Sequence, residues 1–257
     1  MFLAIDTGNT HTSFGIFKEE KIYTTFRLAT NYILDEKIFT ELLTDSLSSL
    51  NIALREIKNV GLSSVVPRAD KNLVEVTKRI FNCEPLLISP KTKLDFKLLV
   101  DNPDEVGADR ICNVAAGFQK YGGPLVIIDF GTATTYDVVS EKGDYIGGVI
   151  APGVKTSAHA LFDLAAKLPE VNLSFPPHVI GTNTIHNMQS GIMYAALDSM
   201  EGMIRRISAE LGLKPKIIAT GGFSKTIFPY TKIIDAFEFD LVLEGIKIIF
   251  DKSSINQ

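Results

Sequence analysis

The chain has 257 residues, 46% of them hydrophobic and 22% charged, with a formal net charge of −4. That is an ordinary globular composition, long enough for two domains with a core each. The acidic balance excludes a general nucleic-acid binder, which carries a basic footprint. No apolar stretch approaches the roughly 20 residues of a membrane span, so no membrane partner is expected. The N-terminus lacks the basic lead-in of a secretory leader. Cys83 and Cys112 show neither framework nor metal spacing, which fits free buried thiols in a reducing cytoplasm.

In chain order, residues 2–6 and 13–17 read as strands around a polar turn, and 21–27 as a third, alternating strand. Helical spacing follows over 35–50, through Ile38, Leu42, Leu43 and Leu47. A buried strand over 60–66 ends at Pro67, a helix spans 70–81, and 86–88 is a short strand. Asn102, Pro103 and Glu105 resemble a helix start that Gly107 interrupts. A second helix runs over 109–121 until Gly122-Gly123-Pro124 stops it.

The second half repeats this plan. Strands at 125–129, 135–139 and 145–150 precede a helix over 154–168 and a loop over 169–177. A long helix covers 184–211, a strand 217–219 leads into Thr220-Gly221-Gly222, and a helix near 241–250 closes the chain. Strands followed by strand–helix alternation, twice, indicate an α/β fold. No linker separates the halves, and the boundary is placed at residue 113, giving domains 1–113 and 114–257.

The repeat is sharpest where an apolar strand ends in Asp-x-Gly. Phe2-Leu3-Ala4-Ile5-Asp6-Thr7-Gly8-Asn9-Thr10 is one copy, and Leu125-Val126-Ile127-Ile128-Asp129-Phe130-Gly131-Thr132 is the other. In the first turn Gly8 and Asn9 are expected to supply positive φ. Free backbone N–H groups beside the hydroxyls of Thr7, Thr10, Thr12 and Ser13 suit phosphoryl oxygens. Asp6, repelled by phosphate, suits Mg²⁺ held through water. One such turn would be a plain hairpin; two strand-flanked copies favour phosphate binding. Asp129 fits either a cation between it and polyphosphate or a buried structural aspartate.

Between the copies lies Gly107-Ala108-Asp109-Arg110. A carboxylate near a helix N-terminus is favoured in its ionised form and accepts a proton from an attacking alcohol. Arg110 suits a carboxylate or phosphate. Alone, this acid–base pair would read as surface charge. His159, His178 and His186 show no metal spacing, and Lys225 reads as a surface lysine.

The two turns with the late Gly-Gly resemble the actin, hexokinase and Hsp70 superfamily. The full series resembles type III pantothenate kinases. It comprises Asp-x-Gly-Asn-Thr, Asn-Pro-x-Glu-Val-Gly-Ala-Asp-Arg, Ile-Asp-x-Gly-Thr-Ala-Thr-Thr, Gly-Gly-x-Ile-x-Pro-Gly (147–153) and Ile-Gly-x-Asn-Thr (180–184). The resemblance implies two tandem ribonuclease-H-like (actin-like ATPase) domains with an ATP cleft between them. It also implies ATP-dependent phosphorylation of pantothenate, the first step towards coenzyme A. Carried over by residue, it implies that Asp6, Thr7, Gly8, Asn9, Thr10, His11, Thr12 and Ser13 form an ATP phosphate loop, and that Thr132 contacts ATP. Asp109 becomes the proton acceptor, and Gly107, Ala108, Asp109 and Arg110 line the pantothenate site. Thr184 reaches pantothenate near a homodimer interface, and Asp129 ligates K⁺ or NH₄⁺. Val100 stands where the family commonly has an aromatic residue against the substrate. A non-catalytic transcriptional regulator with the same fold is the alternative, which the intact Asp6, Asp109, Arg110 and Asp129 disfavour.

Overall fold

Two runs of three strands, each followed by helix–strand alternation, fold into two sheets of the same topology. The computed structural model describes residues 1–165 and 167–254. β1 (Phe2–Thr7), β2 (His11–Lys18) and β3 (Lys21–Ala29) form an antiparallel meander. α1 (Thr30–Ile33) and α2 (Glu36–Ser49) lead to β4 (Asn59–Ser64), which pairs parallel with β1. α3 (Pro67–Phe81) and β5 (Leu86–Leu87) complete a sheet of order β3-β2-β1-β4-β5.

After a 3-10 turn at Pro103–Glu105 and α4 (Ala108–Tyr121), the plan recurs. β6 (Leu125–Phe130), β7 (Ala133–Val139) and β8 (Tyr145–Pro152) form the second meander. α5 (Val154–Leu164) and α6 (Thr184–Leu211) precede β9 (Lys216–Thr220), which pairs parallel with β6. α7 (Ser224–Ile227), β10 (Ala236–Phe237) and α8 (Leu241–Ser254) follow, and the second sheet has the order β10-β9-β6-β7-β8. β1 and β6 share one burial pattern: four buried residues, a partly buried Asp, then a buried residue.

The chain divides into two compact units, Met1–Lys120 with the segment from Asp240 onward, and Tyr121–Phe239. Residue 113, where the sequence places the boundary, lies inside α4, and α8 packs with the first unit. Strand alternation explains that packing. Leu3, Ile5, Phe14, Ile16, Val60 and Leu62 face α2 and α3 through Phe39, Leu43, Leu47, Leu73 and Val76. The other face, with Phe2, Gly15 and Gly61, receives Leu243, Ile246 and Phe250 of α8. Burying a side chain such as Leu43 or Leu47 is worth about 1.5–3 kcal/mol each.

Several sequence readings shift by residues. Pro67 does not merely end a strand; it is the first residue of α3, where its missing N–H costs nothing. Asp35 caps α2 by accepting from the N–H groups of Lys37 and Ile38. α5 stops at Leu164; the expected continuation to 168 crosses residue 166, outside the described residues. α6 matches 184–211, with Asn183 accepting from the His186 N–H and Gly212 closing it in the left-handed region.

Candidate functional site

In the first unit the polar turn is shorter than 7–12. Thr7 still belongs to β1, and His11 to β2, so only Gly8, Asn9 and Thr10 lie between them. Neither Gly8 nor Asn9 has positive φ, contrary to the sequence expectation. The turn is closed instead by the Gly8 N–H donating to the His11 carbonyl at 3.1 Å. A second clamp comes from Thr30, whose hydroxyl donates to the Gly8 carbonyl at 2.7 Å while its N–H donates to the Thr10 carbonyl. The Thr30 hydroxyl also meets that of Thr12 at 3.2 Å. Thr30 is buried at the start of α1, 22 residues from Gly8, with no local motif to flag it.

Asp6 and Thr7 point to opposite faces of the sheet, as strand neighbours must. The Thr7 side chain is fully buried, and its Oγ1 has no hydrogen-bond partner. Asp6 is partly buried, level with Ser13 on β2 and Ser63 on β4. The Ser63 hydroxyl donates to Asp6 Oδ1 at 2.9 Å. Asn9, Thr10 and His11 are exposed and Ser13 is partly buried.

The 107–110 segment follows the 3-10 turn, at whose start Asn102 Nδ2 donates to Glu105 Oε1 at 2.8 Å. Gly107 separates that turn from α4. A β-carbon there would meet Asp109 Oδ1 at 2.5 Å and the Val65 side chain at 3.4 Å. Val65, just past β4, is a neighbour that sequence reading missed. Ala108 is buried, and Asp109 and Arg110 are partly buried. The Arg110 N–H donates to Asp109 Oδ1 at 2.8 Å. Burial nevertheless pushes the Asp109 carboxyl above the ordinary aspartate value, against the opposing pull of the Arg110 N–H and guanidinium. Val100 is partly buried in the irregular stretch before the 3-10 turn.

Cys112, one turn after Asp109, ties these parts together. Its thiol is buried and held well above the usual thiol range, chiefly by burial and then by the charges of Asp6 and Asp109, with the Ser63 side chain pulling the other way. The Asp6 and Asp109 carboxylates therefore both act on one side chain of α4.

In the second unit the turn is one residue tighter. The Gly131 N–H donates to the Ala133 carbonyl at 3.0 Å. The Thr132 carbonyl accepts from the Gly153 N–H at 3.1 Å and from the Thr156 hydroxyl at 2.6 Å. The 147–153 segment thus meets the second turn. Asp129 is partly buried, level with Thr135 and Thr220 on its neighbouring strands. Gly221, at φ +85°, lies so near that a β-carbon would stand 2.4 Å from Asp129 Oδ1. Thr132 and Thr184 are exposed, Thr184 as the first residue of α6. Lys225 is exposed, as expected of a surface lysine, with its Nζ 3.8 Å from the Phe239 ring centroid.

Among the described residues, no three or more His, Cys, Asp or Glu side chains group as a metal cluster. Single carboxylates beside hydroxyls, as at Asp6, fit Mg²⁺ that keeps its waters and takes phosphate oxygens. At Asp129 the hydroxyl residues Thr135 and Thr220 at the same level of the sheet are oxygen donors of the kind a hard cation takes. No described helix is long and apolar enough to cross a membrane.

The family model for type III pantothenate kinase matches residues 2–206. A type III pantothenate kinase of Halalkalibacterium halodurans is 40% identical over 253 residues, covering 98% of this chain and 100% of that protein. One from Moorella thermoacetica is 42% identical over 254 residues, covering 99% and 100%. Among solved structures, the activator of the 2-hydroxyisocaproyl-CoA dehydratase from Clostridium difficile, with bound ADPNP, superposes with a TM-score of 0.59. It is 13% identical and covers 100% of this chain and 96% of that one. MreB 5 of Spiroplasma citri gives a TM-score of 0.54 at 12% identity, covering 99% and 97%. At such identities the likeness concerns the fold alone, two tandem actin-like ATPase units.

Proposed function

The chain belongs to the type III pantothenate kinase family, and on that premise we propose how its residues move a phosphoryl group from ATP to the primary hydroxyl of pantothenate. It is a kinase, and this transfer opens coenzyme A synthesis. Family membership does not favour the regulator alternative. The observation that supports the division of roles is that Asp6, held by the Ser63 hydroxyl at the end of β1, and Asp109, held by the Arg110 N–H at the start of α4, both act on the buried Cys112 thiol.

Asp109 takes the hydroxyl proton as the alcohol oxygen attacks the γ-phosphorus; the P–O bond to the β-phosphate breaks and ADP leaves. Its carboxyl, raised by burial but steadied by the Arg110 N–H, is a stronger base than an exposed aspartate. Gly107, Ala108, Arg110 and Val100 line the pantothenate side, with Arg110 aimed at the substrate's carboxylate. Residues 6–13 receive the ATP phosphates, with Thr132 as a further ATP contact. Asp6 would hold Mg²⁺ through water, and the ion would supply charge neutralisation for the polyphosphate. Asp129 would hold K⁺ or NH₄⁺.

A homodimer is the proposed assembly, with Thr184 at or near the interface. The second unit supports this with exposed apolar side chains at Ile150 (67%), Leu164 (87%), Ile180 (84%) and Ile185 (49%). A cavity of about 430 Å³ between β7, β8, α5 and α6 adds to that surface. The cytoplasm is the proposed location, in keeping with free Cys83 and Cys112.

The test is direct. Purified protein with ATP, Mg²⁺, K⁺ and pantothenate forms 4′-phosphopantothenate and ADP in equal amounts; absence of the product under all these conditions overturns the assignment. Light scattering on the same sample reads the dimer.

A further inference from the structure

Each strand-end aspartate stands between two hydroxyl residues at its own level in the sheet. Asp6 pairs with Ser13 on the antiparallel side and Ser63 on the parallel side. Asp129 pairs with Thr135 and Thr220 in the same two directions. Paired residues in a sheet project to one face, so both flanking hydroxyl residues share the face of the carboxylate. The Asp-x-Gly signature shows only the antiparallel one, because the parallel partner arrives 57 positions later for Asp6 and 91 later for Asp129 (63 − 6 and 220 − 129).

In the first unit the parallel hydroxyl is engaged. Ser63 is fully buried and donates to Asp6 Oδ1 at 2.9 Å. Beside it lies Cys112 of α4, also fully buried, on whose thiol the Ser63 side chain acts. α4, β4 and the end of β1 therefore meet at this hydroxyl. α4 has little freedom to drift from it. A β-carbon on Gly245 of α8 would lie 2.0 Å from the Cys112 carbonyl, so the two helix backbones are in direct contact.

We propose that Ser63, backed by Cys112, is a positioning residue that fixes the Asp6 carboxylate for the metal–phosphate end of the reaction and ties it to the helix that carries Asp109. Ser63 touches no substrate; it acts through Asp6. A carboxylate that must hold a water-mediated cation loses effectiveness when its rotamer is loose, because second-sphere hydrogen bonds set the orientation of metal-side ligands. The inference rests on the proposed role of Asp6, and the experiment separates the two.

The apparent Mg²⁺ half-saturation and the KM values for ATP and pantothenate are measured for wild type, Ser63→Ala, Asp6→Asn and the double variant. Ser63→Ala is expected to raise the Mg²⁺ requirement and the KM for ATP by about 5–50-fold, on the scale of lost outer-sphere partners. The pantothenate KM stays within about twofold, and in the Asp6→Asn background the same substitution adds less than about twofold, because the two residues form one coupled pair. Ser63→Thr restores the hydroxyl, as Thr220 stands at the matching place in the second unit, and recovers most of the loss. An equal penalty in both backgrounds, a pantothenate KM that rises in step with that for ATP, or no recovery by Ser63→Thr in a protein that melts like wild type overturns the inference. If Ser63→Ala is silent while Asp6→Asn raises the Mg²⁺ requirement, positioning by Ser63 falls and the role of Asp6 stands. If Asp6→Asn leaves that requirement unchanged, both fall.

Discussion

Gly107 and Asp109 are packed so closely that a β-carbon on the glycine would stand 2.5 Å from Oδ1 of the aspartate. The backbone at Gly107 has an ordinary negative φ, so the constraint is space and not strain. The glycine is where it is because the carboxylate folds back over it. Gly107→Ala should push that carboxylate aside and lower kcat by about 10–100-fold, the scale of an ångström-sized misplacement. Because the obstruction is a side-chain end that can swing away, the melting temperature should shift by only a few degrees. Parallel turnover and melting measurements check this.

Asp109→Asn should lower kcat by about 10²–10⁴-fold, the range for a lost general base, while ATP affinity changes little. It should also stabilise the fold at neutral pH. The folded carboxyl titrates above its unfolded value because burial disfavours its charge. Its contribution to stability is therefore whole below the unfolded value near 3.9 and is lost as pH rises through the folded value. The variant never carries that charge, so its melting advantage over wild type should be larger at pH 7.5 than at pH 4. The same titration sets the acid limb of the wild-type rate profile above the ordinary aspartate value.

Thr30→Val removes the hydroxyl that donates to the Gly8 carbonyl and meets Thr12. One hydrogen bond is worth about 0.5–1.5 kcal/mol. The KM for ATP should rise by about 2–10-fold, with that for pantothenate unchanged. Steady-state kinetics varying each substrate in turn separates the two.

Gly245→Ala attacks packing instead. Its β-carbon would strike the Cys112 carbonyl at 2.0 Å, and a helix backbone cannot yield as a side chain does. A loss of at least about 1–3 kcal/mol is expected from overpacking, read by denaturant unfolding. Activity should fall as well, since α4 carries Asp109.

Replacing K⁺ by a bulky organic cation should depress turnover in wild type. Asp129→Asn should have low activity with either cation. A wild-type enzyme indifferent to the exchange would remove the monovalent-cation role from Asp129.

The repeated fold was legible because burial has a short period in sequence. Both strand-end aspartates, the long helix over 184–211 and the Gly122 stop all follow from local spacing. Residues that come together through sheet pairing were not legible. Ser63 is an unremarkable serine until β4 is laid beside β1, and Thr30 until the meander returns it to Gly8. The direction of α8 was hidden for the same reason. Its apolar residues announce a buried helix, but nothing in them names the sheet they cover. Turn chemistry misled once: Gly8 and Asn9 suggested left-handed backbone, whereas the turn is closed by the His11 and Thr10 carbonyls.

The position of α8 has a consequence for how the chain is made. β1 leaves the ribosome well before α8, yet one face of its sheet is covered by residues 241–254. Phe2 lacks its partner ring Phe250, and Gly61 its neighbour Ile246, until α8 has been synthesised, whereas Tyr121–Phe239 is an uninterrupted segment that holds all its own strands. The half translated first should therefore be the half completed last. A nascent chain stalled before residue 240 should present its first sheet to protease or chaperone while the second is already protected.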